Sequence, residues 1–197
     1  IKYMPGTREI SRRIKSIKST KKITRAMQLV SAAKMRKSQT ATMASRTYAE
    51  QAQILLGRLA KVDSNLPENA ASLLKHQPTA KKIGVILITS NRGLVGGFNT
   101  NLLKQVLKLS KEKPELINEL VIVGKKGKDM IVRLKFPLMA EFNKSDKQSE
   151  VSDIYPIIKL ATEAYRSGQY QKIVIIYNHF VSTLVQQPTI KQLLPFS

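Results

Sequence analysis

Two short stretches of this chain combine the residue types that hold phosphates. Ser90-Asn91-Arg92-Gly93-Leu94-Val95-Gly96-Gly97-Phe98-Asn99 joins an apolar run to an amphipathic one. That is where open α/β sheets cradle a pyrophosphate on backbone N–H groups. Its glycines are spaced G-x-x-G-G, which is neither the dinucleotide fingerprint nor the Walker pattern. The stretch therefore reads first as a tight turn from strand to helix, with nucleotide binding the lesser alternative. Gly124-Lys125-Lys126-Gly127-Lys128-Asp129 invites the same reading and fails it twice. The residue five before Gly127 is Ile122 instead of glycine, and Asp129 puts a carboxylate where a Mg²⁺-binding hydroxyl is required. Other chemistries are sparser still. The chain has no cysteine, hence no disulfide, thiol nucleophile or Cys-ligated metal. His76 and His179 are far apart and read as structural or solvated, and Glu112, Glu115 and Glu119 read as the polar side of a helix end and its loop. There is no G-x-S-x-G, H-E-x-x-H or C-x-x-C. No catalytic residue, metal ligand or cofactor is assigned.

The elements that must carry these stretches fall into two textures. Between Thr7 and Leu56 there is neither proline nor glycine, and Ala, Lys, Arg, Gln, Met, Ser and Ile dominate, so one uninterrupted helix is expected, with Thr7 as its N-cap. Gly57 is the first weak point, and Asp63-Ser64-Asn65-Leu66-Pro67 supplies turn formers and a breaker. A helix from Thr7 to Leu59 is a rod of roughly 80 Å, longer than a domain of this size is wide, so most of it is expected to project. Its apolar residues run Ile10, Ile14, Ile17, change phase, and resume as Ile23, Met27, Val30, with Ala41, Ala44, Tyr48, Leu55, Leu59 and Val62 beyond. Spacings of three and four describe a coiled-coil seam that needs a partner helix.

From Lys81 onward, short apolar runs alternate with amphipathic stretches, the pattern of an α/β unit with a mainly parallel, doubly wound, Rossmann-like sheet. Strands are expected at 83–89, 120–123, 138–142 and 173–177, and helices at about 100–111, 128–134 and 154–166. In this β-α-β-α-β-α-β order the last strand, 173–177, is expected to be antiparallel, and an extended segment at 180–188 follows it. The organisation is thus a basic helix over 1–62, a linker over 63–80 and an α/β domain over 81–197.

Charge separates the two parts. Lys and Arg number 34 against 13 acidic residues, a formal net charge of +21, and residues 1–60 hold fourteen of the basic residues against only Glu9 and Glu50. At 100° per residue the cations from Arg8 to Arg25 spread around most of the helix, a rod that repels itself and invites acidic surroundings on several sides. A nucleic-acid-binding protein is the alternative, since such charge favours phosphate backbones. Only Tyr3 and Tyr48 lie in the basic half, however, so stacking platforms are missing. The Arg- and Ser-rich beginning imitates a transit peptide but continues past a cleavable length. The absence of an apolar h-region argues against a secretory signal, and no apolar stretch approaches membrane-spanning length, so a cytoplasm-like compartment is expected.

The run Ile14-Lys15-Ser16-Ile17-Lys18-Ser19-Thr20-Lys21-Lys22-Ile23-Thr24-Arg25-Ala26-Met27, continued by Val30-Ser31-Ala32-Ala33-Lys34-Met35-Arg36, closely resembles the N-terminal helix of F-type ATP synthase gamma subunits. Ser90–Asn99 resembles the S-[DN]-R-G-L-[CV]-G-G-[FL]-N segment of that family, and Gln187-Pro188-Thr189-Ile190-Lys191-Gln192-Leu193-Leu194-Pro195 resembles the stretch closing its central domain. The bacterial form fits best. The resemblance implies a non-catalytic central-stalk rotor that couples proton flow through the membrane sector to ATP synthesis or hydrolysis. It would turn inside three alpha and three beta subunits at the cytoplasmic face of the bacterial inner membrane. Arg12, Arg13, Lys15, Lys18, Lys21, Lys22, Arg25 and Met27 would then face the sleeve. Thr40, Met43, Arg46, Tyr48 and Glu50, with the α/β domain, would form a foot that meets the epsilon subunit and the ring of c subunits. Family members continue into a second long helix antiparallel to the first, and the resemblance implies that the mate of this seam lies outside the residues given. Val95 stands where many members have cysteine, so the thiol regulation of the chloroplast form is not expected.

Overall fold

In the computed structural model, which describes residues 6–59, 67–143 and 151–196, the chain runs α1 (Thr7–Leu59), α2 (Glu68–Ala71), β1 (Lys82–Ile88), α3 (Phe98–Glu112), β2 (Ile117–Val123), α4 (Lys125–Arg133), β3 (Leu138–Phe142), α5 (Val151–Arg166), β4 (Lys172–Phe180) and β5 (Gln186–Leu194). Lys2, Tyr3, the Met4-Pro5 pair, Val62 and the 63–66 turn formers lie outside the described residues. The chain divides into two compact units, Ile1–Ile54 and Leu55–Ser197.

The first unit is helical from Thr7 to its end, and α1 continues as Leu55–Leu59 into the second, 53 residues in all with no buried side chain. Thr7 is its first helical residue and not its N-cap, because the Gly6 carbonyl already accepts the N–H groups of Glu9 and Ile10. Gly57 is passed without a break.

The second unit is a five-stranded sheet in the order β3-β2-β1-β4-β5. β1 pairs in parallel with β2 and β4, β2 pairs in parallel with β3, and β5 runs antiparallel to β4. The strand around 173–177 is thus parallel and not antiparallel as expected, because α5 crosses over before it; the antiparallel strand is β5, joined to β4 by a short hairpin. The handedness of crossovers explains the layers. Stepping from β1 to β2 to β3 carries the chain one way across the sheet, so right-handed connections put α3 and α4 on one face. The return from β3 past β1 to β4 runs the other way and puts α5 on the opposite face. Two cores result. Ile83, Val85 and Leu87 of β1 and Leu120 and Ile122 of β2 pack with Leu102, Val106, Leu109 and Ile131. Ile86, Val121 and Val123 pack with Ile157, Ala164 and Tyr165. Because both faces are covered, β1 is buried almost throughout, as a central parallel strand must be. Asn118 is the exception on the α3 side, a buried amide with neither polar atom paired among the described residues.

The expected strands and helices are present with shifted ends. β2 begins at Ile117 and not at Leu120, because the polar Asn118 and Glu119 still pair with Ile83 and Gly84. α4 begins at Lys125 and not at Lys128, for a reason given below. The linker expected over 63–80 contains the short helix α2, and the Tyr165 hydroxyl donates to the Lys75 carbonyl at 2.6 Å, tying the segment after α2 to α5. The extended segment 180–188 is a hairpin: Val181 and Ser182 donate to the Val185 carbonyl, and β5 returns along β4. Pro188, which has no N–H, is tolerated there because β5 is an edge strand.

Candidate functional site

Helix α1 is a candidate surface along its whole length. Arg12, Arg13, Lys15, Lys18, Lys21, Lys22, Arg25 and Met27 are all exposed, as are Thr40, Met43, Tyr48 and Glu50, while Arg46 is half-buried. Ile10, Ile14 and Ile17 form one apolar stripe; Ile23, Met27 and Val30 form another about half a turn away, and every one of these side chains is exposed. Arg13 is held by Glu9 at 2.7 Å across one helical turn. The Thr40 hydroxyl donates to the Arg36 carbonyl, and Thr24 and Thr42 bond their own preceding turns in the same way. The cations wind around the helix instead of following a groove-facing stripe, so the geometry adds no support to nucleic-acid binding.

The two phosphate-loop candidates are brought together, and each closes the other. Thr89, at the end of β1, is buried. Its hydroxyl shares its proton between the carbonyls of Val123 and Gly124, 3.0 Å from each, and accepts the N–H of Gly127 at 3.0 Å. The Ser90 carbonyl accepts the N–H of Lys126, and Asn91 Oδ1 that of Lys125. The first N–H groups of α4 are thus capped by consecutive residues of the neighbouring loop, which is why the helix starts at Lys125. The glycines serve the same contact. Gly124 has φ of +106°, and a Cβ there would stand 2.5 Å from the Thr89 carbonyl oxygen. A Cβ on Gly127 would stand 2.6 Å from Thr89 Oγ1. The space a phosphate would use is filled by threonine.

The Ser90–Asn99 loop is pinned at its base. The Ser90 N–H donates to Asn99 Oδ1 at 3.1 Å, and Asn99 Nδ2 donates to Ser90 Oγ at 2.8 Å. The strand order reverses between β1 and β4, the point where ligands of open α/β sheets settle. Here Asn178 Nδ2 of β4 donates to the Phe98 carbonyl across that point at 3.2 Å, and β4 continues into the β5 hairpin. Thr89 and Asn178 were not singled out from the sequence. Paired glycines after β2 were the available signal, since they mark a close approach whose partner only the fold reveals.

The remaining polar residues are structural. Glu119 is a strand residue, not part of a helix end. Its Oε2 accepts Lys82 Nζ at 3.1 Å and the Tyr170 hydroxyl at 2.7 Å. Burial, then the Glu119 bond and charge, raise the Tyr170 phenol well above its ordinary range. Glu112 faces Lys108 at 3.7 Å on α3, His76 is exposed, and His179 lies in β4 edge-on to Tyr177. Among the described residues no three His, Asp or Glu gather as metal ligands, and no helix is long and apolar enough to cross a membrane.

The ATP synthase family model matches residues 6–197. The ATP synthase gamma chain of Roseiflexus castenholzii is 38% identical over 194 residues, 98% of this chain and 66% of that protein. That of Opitutus terrae is 39% identical over 98% of this chain and 62% of its own length. The chain therefore spans about two thirds of the length of the curated relatives it matches. Among solved structures, the rotor of the Euglena gracilis mitochondrial ATP synthase aligns over 93% of this chain and 61% of its own, with a TM-score of 0.63 and 19% identity. The central stalk and c-ring structure of the Tetrahymena thermophila mitochondrial enzyme aligns over 88% and 72%, with a TM-score of 0.63 and 24% identity. At these identities the structures speak for the fold.

Proposed function

The chain belongs to the ATP synthase gamma chain family, and on that premise we propose that it is the central-stalk rotor of an F-type ATP synthase, turning within a ring of three alpha and three beta subunits. The observation that carries the proposal is α1: 53 residues, thirteen Lys or Arg against Glu9 and Glu50, and no buried side chain. A helix of this kind has its stabilising partners outside itself. Exposed ion pairs are worth about 0–1 kcal/mol each, so a shaft held by many of them can trade one acidic neighbour for the next as it turns. A tightly interdigitated apolar interface would have to lose all its packing together.

Arg12, Arg13, Lys15, Lys18, Lys21, Lys22, Arg25 and Met27 are assigned to the sleeve. Thr40, Met43, Arg46, Tyr48 and Glu50, with the α/β unit, are assigned to the foot that meets the epsilon subunit and the c-ring. On this reading the chain makes and breaks no bonds. The phosphate loops are sealed by Thr89, and catalysis belongs to the surrounding subunits. The rotor's part is to present a different side to each of the three catalytic sites, the differential contact that any forced conformational change requires. The chain would sit peripherally on the cytoplasmic face of a bacterial inner membrane, held through the membrane sector.

Co-expression with alpha and beta subunits followed by native mass measurement tests the reading. One copy of this chain per hexamer is expected, and three copies would overturn a central shaft.

A further inference from the structure

The first turns of α1 carry a pattern that a rotor surface alone does not call for. Ile10, Ile14 and Ile17 follow one another at spacings of four and three, so they form one narrow stripe, and all three are exposed. At 100° per residue Arg13 and Lys18 lie about 70° to either side of that stripe, and Lys21 continues it one turn further on. Arg8, Arg12, Lys15 and Ser19 face the other way. Between Arg8 and Lys22 seven cations stand against Glu9 alone, and Glu9 is already held by Arg13 at 2.7 Å. A helix with an aliphatic stripe, cationic flanks and a polar back has the design of a segment that lies in a membrane interface. The same residues imitate a transit peptide in sequence, and this amphipathic surface is the physical content of that likeness.

We propose that, before the chain is enclosed by other subunits, residues 7–21 lie on an anionic lipid surface, with Ile10, Ile14 and Ile17 among the acyl chains below the headgroups and Arg13, Lys18 and Lys21 at the lipid phosphates. The inference does not depend on the rotor reading. Charge selects the occupant. A second copy of this chain would bring like cations together, and a nucleic acid would accept the cations but leave three isoleucines in water. An anionic bilayer accepts both, and its fluid surface requires no shape matched to the stripe. Lysine and arginine reach the phosphates while their stems stay beside the isoleucines.

The phase change after Ile17 sets the length of the seated segment. Ile23, Met27 and Val30 are exposed about half a turn away and cannot enter the same plane. The stripe before them spans one heptad, short for a coiled-coil seam by itself. The cations that would hold the lipid are among those assigned to the sleeve, so the two positions exclude each other. Enclosure by the alpha–beta ring would release the chain from the membrane.

The test is co-sedimentation of the full chain with vesicles of phosphatidylcholine, alone or mixed equally with phosphatidylglycerol, with duplex DNA as a competing polyanion. Binding to the mixed vesicles is expected to be about tenfold tighter or more, and to weaken as salt rises. I10A/I14A/I17A should lose about tenfold or more on those vesicles. Alanine raises helix propensity, so circular dichroism should show a helix no weaker than the wild type's, and the loss then reports the missing stripe. K18Q with K21Q should also lose about tenfold. Equal binding to both kinds of vesicle, or wild-type binding by the triple alanine variant, would overturn the proposal. If that variant also binds the duplex as the wild type does, and the duplex strips both chains from the vesicles, charge acts alone and the surface suits a nucleic acid instead. Added alpha–beta hexamer is expected to displace the wild type from the vesicles, and a chain held by both at once would refute the exclusion. The rotor reading fails on a different result, absence of the chain from the hexamer when no vesicles are present.

Discussion

Thr89 shows how one side chain decides what the glycine loops can do. Its hydroxyl satisfies the Gly127 N–H and bonds carbonyls at the end of β2, all away from water. Replacing it with valine keeps the shape and removes the acceptor of the Gly127 N–H, while the Val123 carbonyl keeps the Thr89 N–H, at a cost of about 1–3 kcal/mol. T89V should lower the urea midpoint of the α/β unit accordingly, without creating a phosphate site, because the methyl group still fills the space between the glycines. Tyr170 makes a second residue-level case, with a pH signature. Burial and the neighbouring Glu119 carboxylate hold its phenol neutral in the folded state, above the ordinary value of 10.0. The unfolded chain therefore releases this proton first as pH rises. The stabilisation is complete below about pH 10 and declines above it. Chemical denaturation at pH 9 and pH 11 should show a smaller alkaline loss for Y170F than for the wild type. Equal losses would mean that the phenol does not govern the response.

Among the elements, α1 stands apart because it carries its own opposition. Arg8 and Arg12, Lys18 and Lys22, and Lys21 and Arg25 are like charges four residues apart, each pair destabilising by about 0.2–0.5 kcal/mol, and cations near the N-terminus oppose the helix dipole. Screening relieves these terms. A peptide covering residues 8–37 should gain helical circular-dichroism signal as salt rises from 0.01 to about 1 M, over which the screening length falls from about 30 Å to 3 Å. Loss of signal would mean that attractive pairs such as Arg13–Glu9 dominate. The extent of this helix was legible in the sequence, since the absence of proline and glycine leaves nothing to stop it, and so was β3 at Leu138–Phe142. The starts of β2 and α4 were not. Asn118-Glu119 and Lys125-Lys126-Gly127 look like loop, and only the register against β1 and the cap from Thr89 make them strand and helix. The basic candidate surface was visible for the same reason as the helix, because composition displays it. The sealed phosphate loop was invisible because Thr89 and Gly124 meet only once two strands have paired.

At the scale of the whole molecule, the question is whether the charge on α1 serves the helix or its surroundings, and the two answers predict opposite signs. Reversing Arg12, Arg13, Lys18 and Lys22 to glutamate, two charges each, takes the formal net charge from +21 to +13. Within the helix this is favourable. Carboxylates near the N-terminus complement the dipole, and R12E faces Arg8 across one turn while K22E faces Arg25, gains that offset the Glu9 pair given up by R13E and the like charges that K18E and K22E keep. The variant chain should therefore be at least as helical as the wild type. Since α1 contributes no buried side chain, the melting temperature of the α/β unit should not move. Within an assembly the same change is adverse, because cations that met acidic neighbours now repel them. We expect a more helical subunit that assembles poorly with the alpha–beta hexamer, or assembles and fails to couple ATP hydrolysis to proton pumping in inverted vesicles. A variant with raised helicity and wild-type pumping would show that the basic surface of α1 is not what the ring holds.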